Sequence, residues 1–65
     1  MTRKDYTALA ADLNFILNGI KAESNFVDTT AAENTFRITV FAVMEAMHRE
    51  NGRFDRDRFK AAVGL

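Results

Sequence analysis

The chain has 65 residues, with nine basic residues against nine acidic ones, six Phe, one His and no Cys. That length makes one domain close to the lower limit at which a single core suffices, and it excludes a disulfide or thiolate-metal scaffold. A lone imidazole does not make a metal site, and zero net charge argues against strong nonspecific binding to nucleic acid. No apolar run reaches the ~20 residues of a membrane span, and no signal-peptide core opens the chain. Nothing in the composition calls for a cofactor.

Thr2 with Asp5 forms the pattern of a capping box that opens a first helix. Behind it Tyr6, Leu9, Leu13, Ile16 and Ile20 recur at helical spacing, with Ala10 and Leu17 widening the apolar stripe. We place this helix at about residues 3–19. Phe15 falls outside the stripe, and two readings are open. Either the helix stops at Asn18, with Gly19 in the left-handed conformation and Ile20 folded back onto Phe15, or it runs on towards Glu23 and leaves Phe15 exposed for a partner.

Lys21 to Thr30 loses the periodicity and collects Ser, Asn, Asp and Thr, the composition of a connection. Phe26 and Val27 are expected to dip into the edge of the core. Thr30 and Glu33 suggest a second capping box, with Asp28 adding negative charge beside it.

Thr35 to Val43 is rich in β-branched and aromatic residues, and propensity alone favours a strand. The alternation fails at Phe41 and Val43, however, while Phe36, Val40, Val43, Met44 and Met47 share one face of a helix. The spacing predicts a second helix at about 31–51, closed by Asn51-Gly52 in left-handed geometry. Ile38 and Phe41 stand off its main stripe. They are either covered by the neighbouring helices or open to another molecule.

Asp55 is an N-cap, flanked by Phe54 and Phe59 in the positions of a hydrophobic staple. A short third helix at about 56–63 follows, ended by Gly64. Two turns of helix are unstable alone, so Phe54, Phe59 and Val63 must hold it against the rest. The expected fold is all-α: a long antiparallel helix pair plus a short C-terminal helix in one domain.

The ending NGRFDRDRFKAAVG, behind a KDY…ALA…L opening, resembles a pattern in small uncharacterised proteins encoded by phages and prophages: Asn-x-Arg-Phe-Asp-x-x-(Arg/Lys)-Phe-x-x-Ala after two amphipathic helices. That pattern often has Cys before the final Gly. Here Val63 stands there, so no thiol role transfers. The resemblance implies a phage accessory product working in the cytoplasm of an infected or lysogenic bacterium, and it implies no reaction. Its matching residues, Asn51, Arg53, Phe54, Asp55 and Phe59, are also the capping and staple residues.

Catalysis finds little support. Ser24 or a Thr would have to pair with His48, and nothing marks an oxyanion hole or an orienting carboxylate. Glu45 and His48 are spaced as a solvated helix face commonly is. Two binding readings remain. In the first, Phe15, Ile38 and Phe41 form an apolar surface for a host or phage protein, including a defence component, or for a second copy in a homodimer. In the second, helices 2 and 3 form a helix-turn-helix-like unit in which Arg53, Arg56, Arg58 and Lys60 meet nucleic acid. Asp55 and Asp57 lie in the very turn that would face phosphates, which weakens that second reading.

Overall fold

The computed structural model describes residues 2–65 and contains three helices: α1 (Arg3–Glu23), α2 (Thr30–Glu50) and α3 (Arg56–Val63). The all-α expectation holds. The long helices form an antiparallel pair and α3 packs chiefly against α1, over the end where α1 begins and α2 finishes.

Each boundary has a local cause. At the start of α1 the Thr2 hydroxyl accepts from the Asp5 amide and the Asp5 carboxylate accepts from the Thr2 amide, the expected capping box. These bonds, the backbone one first, hold the Asp5 carboxyl below its ordinary pKa. The start of α2 differs from expectation by one residue. Its N-cap is Thr29, which is buried and whose hydroxyl donates to Glu33 at 2.9 Å. Asp28 does the capping instead, accepting from the Thr30 hydroxyl at 2.7 Å and the Thr30 amide at 2.9 Å. Those two bonds lower the Asp28 pKa as well.

Two turn assignments are corrected. Gly19 lies inside α1, which continues to Glu23. Ile20 beyond it packs against the core, and burial of that side chain offsets the ~1 kcal/mol that glycine costs a helix. Asn51 and Gly52 do not adopt left-handed geometry. Asn51 is extended at φ −141°, and its side-chain oxygen accepts from the Arg53 amide, so an Asx turn makes the bend. Gly64 is the residue with positive φ, at 100°. The Leu65 and Gly64 amides both donate back to Lys60, the bonding of a Schellman-type stop.

The core comprises Ala10 and Leu17 of α1, Phe36, Val40, Met44 and Met47 of α2, and Phe54, Phe59 and Val63 around α3. Phe54 packs against Phe59 with ring centroids 5.4 Å apart and planes tilted by 57°, the contact the staple requires, and meets the Tyr6 ring edge-on at 4.9 Å. On α1 the buried centre is Ala10 and Leu17, with Leu9, Leu13 and Ile20 only half buried and Ile16 exposed. The apolar stripe of α1 is therefore turned towards α3. Asn14 fixes that orientation: its amide donates to the Val63 carbonyl at 2.9 Å and its oxygen accepts from Asn18.

The molecule is long for its mass. Its radius of gyration is 12.6 Å and its extents are 40 × 18 × 15 Å, whereas a compact domain of this length has a radius near ~11 Å. The accessible surface of 4738 Å² exceeds the ~4200 Å² typical of a folded monomer of this mass. The reason is geometric. α3 has 8 residues and spans about 12 Å, against about 31 Å for each long helix, so one end of the hairpin has no third layer.

Candidate functional site

The three apolar residues singled out from the sequence do not form one patch. Phe15 is 79% exposed and projects about 200° round α1 from buried Leu17. Ile38 is 63% exposed and lies about 200° from buried Val40. Both point away from the core, from different helices. Phe41 is intermediate in character: it is 37% exposed, and the Lys60 ammonium of α3 sits 5.7 Å from its ring centroid, within cation–π range. Thus α3 reaches Phe41 and leaves Ile38 uncovered.

The exposed apolar surface extends where the sequence reading did not place it. Phe26 is 87% exposed and Val27 is also exposed, in contrast to the expected dip into the core. The chain leaves α1 in a tight turn in which the Phe26 and Val27 amides both donate to the Glu23 carbonyl. That turn carries both side chains past the end of the hairpin, where α3 does not reach. They make this end apolar on its surface, while Ile16 is exposed nearer the middle of α1.

The basic residues of the C-terminal region are divided by the face of α3 that enters the core. Arg56 points to α2, where its guanidinium pairs with Glu45 at 2.6 Å, and Lys60 lies on the same side over Phe41. Arg53 and Arg58 turn the other way. Together with Arg3, which the sequence reading passed over, they line a cleft of about 500 Å³ between the first turns of α1, the Asn51–Asp55 connection and α3. Its floor is apolar, formed by Tyr6, Ala10, Phe54, Phe59 and Ala62. One carboxylate, Asp55, also borders it and is committed to capping the Arg58 amide at 3.0 Å.

Two further features bear on chemistry. The Tyr6 hydroxyl is buried and has no hydrogen-bond partner among the described residues. Among those same residues, no cluster of three or more His, Cys, Asp or Glu is placed to hold a metal ion, and no helix is long and apolar enough to cross a membrane. Glu45 is engaged by Arg56 on the flank of α2. Compared with family models, curated proteins and solved structures, the chain finds no match.

Proposed function

We propose that this chain is a non-enzymatic binding module that docks onto another protein. The observation that carries the reading is the apolar surface that α3 leaves uncovered: Phe15, Ile16, Phe26, Val27 and Ile38 stand exposed on a chain of 65 residues. So many large exposed apolar side chains on so small a domain mark surface suited to interaction. Carried over from the resemblance, the partner is a host or phage protein in the bacterial cytoplasm, and its activity is blocked or redirected by the contact.

The nucleic-acid alternative asks Arg53, Arg56, Arg58 and Lys60 to act together, yet Arg56 and Lys60 are turned towards Glu45 and Phe41. The protein-binding reading therefore takes precedence. Capture from bacterial lysate tests it, with wild type beside Phe15→Asp and Phe26→Asp. Both positions are exposed, so the variants should fold, with unchanged circular dichroism, and lose the captured protein. A folded double variant that retains the same partner removes both positions from the interface and overturns the reading. Light scattering over a concentration series separates a second copy of the chain from a foreign partner.

A further inference from the structure

The cleft beside α3 combines features that folding does not require. Three arginines, Arg3, Arg53 and Arg58, line it from three separate segments. None of the three makes an ion pair among the described residues, although carboxylates are as numerous in the chain as cations. Placing three like charges round one concavity costs electrostatic energy unless an anion answers them. Tyr6 stands in the wall with a buried hydroxyl that lacks an acceptor, an arrangement that folded proteins seldom leave unresolved.

The geometry points to this cleft as the recognition site for an acidic peptide segment of a partner protein, one with carboxylates on either side of an apolar residue. Guanidinium forks bind carboxylates in bidentate fashion, and Tyr6, Phe54 and Phe59, which line the same cleft, call for an apolar side chain between the charges. A volume of about 500 Å³ is in the range of sites that enclose a small ligand or a few side chains. Inorganic phosphate alone would leave the apolar floor unfilled. A nucleic-acid strand would meet Asp55 at the rim and would find Arg56 and Lys60 facing elsewhere. This inference rests on the reading of the chain as a protein-binding module, but it uses a different face of α1 from the one that carries Phe15.

The test is fluorescence polarisation of a labelled peptide, Gly-Glu-Glu-Leu-Glu-Glu-Gly, and of its counterpart with glutamine in place of every glutamate. The acidic peptide should bind the wild-type chain at least roughly tenfold more tightly than the glutamine form, with affinity falling as salt rises. Arg58→Gln and Arg3→Gln should each weaken it by roughly fivefold to tenfold at unchanged circular dichroism. Phe15→Asp should leave peptide binding intact, so that failure of the hairpin-end interface and failure of the cleft are told apart. Equal binding of the two peptides, no binding of either at millimolar concentration, or indifference to both Arg variants overturns the proposal. So does a single-stranded oligonucleotide that binds the same cleft more tightly than the acidic peptide.

Discussion

The two ends of the helical hairpin are built from similar residues and meet different fates. At the α3 end, Phe54, Phe59 and Val63 close over Ala10, Leu17, Met44 and Met47, and every large apolar side chain of α3 is buried. At the loop end Phe36 and Thr29 are buried, while Phe26 and Val27, no less apolar, face solvent. Hydrophobicity is therefore not what decides burial in this chain. The decision is made by the reach of an 8-residue helix laid along a pair more than twice its length. One end became the fold and the other was left free to meet something else.

The sharpest way to break this comparison is to truncate one aromatic at each end. Phe59→Ala removes a ring that is only 4% exposed, its tilted contact with Phe54 and the staple that sets α3. A loss of about 3–5 kcal/mol is expected. That is comparable to the whole stability of a domain this small, so urea denaturation should show most of the cooperative transition gone. Phe26→Ala at the loop end should shift the same midpoint by no more than about 0.5 kcal/mol. Comparable losses at the two sites would mean that the loop end is packed after all.

The glycines offer a second contrast, smaller and of opposite sign. Gly64 has φ 100°, and a Cβ there would lie 3.1 Å from the Asn14 side-chain nitrogen that holds the Val63 carbonyl. Gly64→Ala should cost about 1–2 kcal/mol from the left-handed backbone alone, and more if the Asn14 tether gives way. Gly19 sits in helical geometry with nothing within 4 Å of an added Cβ. Gly19→Ala should stabilise the chain by about 0.5–1 kcal/mol. Thermal melts of the two variants bracketing wild type are the expected result, and a destabilised Gly19→Ala would show that α1 does not run through that position.

What was legible in the sequence was local. The Thr2–Asp5 box, the Asp55 cap, the Phe54–Phe59 staple and the Gly64 stop each depend on residues within five positions of one another, and each forms as read. The face Phe36–Val40–Met44–Met47 was legible because a helix must bury a stripe, whatever covers it. The failures came from third-body geometry. At Gly19 the residues allow either a stop or a continuing helix; Ile20 has core to reach, so the helix runs on to Glu23, past the expected end at residue 19, and Phe15 is left exposed. Phe26 was read as a plug because small domains bury loop aromatics, and here no element stands over it. Arg3 escaped notice because its companions Arg53 and Arg58 are some fifty residues away in sequence, and only the packing of α3 on α1 unites them. The role of Asn14 likewise depends on a carbonyl 49 residues on, which no local pattern announces.

Tyr6 extends the comparison within the α3 end itself, since among the described residues its hydroxyl is the buried side-chain polar atom that packing leaves unanswered. Removing a buried donor that makes no bond also removes its desolvation penalty. Tyr6→Phe keeps the edge contact with Phe54 at 4.9 Å and should leave stability unchanged or raise it by up to about 1 kcal/mol. If chemical denaturation shows a clear loss instead, the hydroxyl is satisfied in solution, and its place in the cleft argument falls away.

The smallest expected effect concerns pH and the two carboxyls that open the long helices. Asp5 caps α1 at the end covered by α3, whereas Asp28 caps α2 at the uncovered end. Hydrogen bonds from Thr2 and from Thr30 depress their respective pKa values. A carboxyl whose pKa is lower in the folded chain than in the unfolded one stabilises the fold fully above the unfolded value, and the contribution is lost as pH falls through the folded value. Both caps should therefore hold at neutral pH and weaken below about pH 4. The consequences should differ between ends. The first turn of α1 is followed at once by Tyr6, which is anchored on Phe54. The first turn of α2 meets packing only at Phe36, one and a half turns on, apart from buried Thr29. On acidification the amides of Thr30 to Asn34 should accordingly exchange with solvent sooner than those of Tyr6 to Leu9. Asp28→Asn keeps an oxygen that accepts from the Thr30 amide while removing the titration, so it should flatten the response of α2 and leave that of α1 as it was. An equal response at both ends, or an α2 response that survives in Asp28→Asn, would show that acid acts on the fold as a whole and not through these caps.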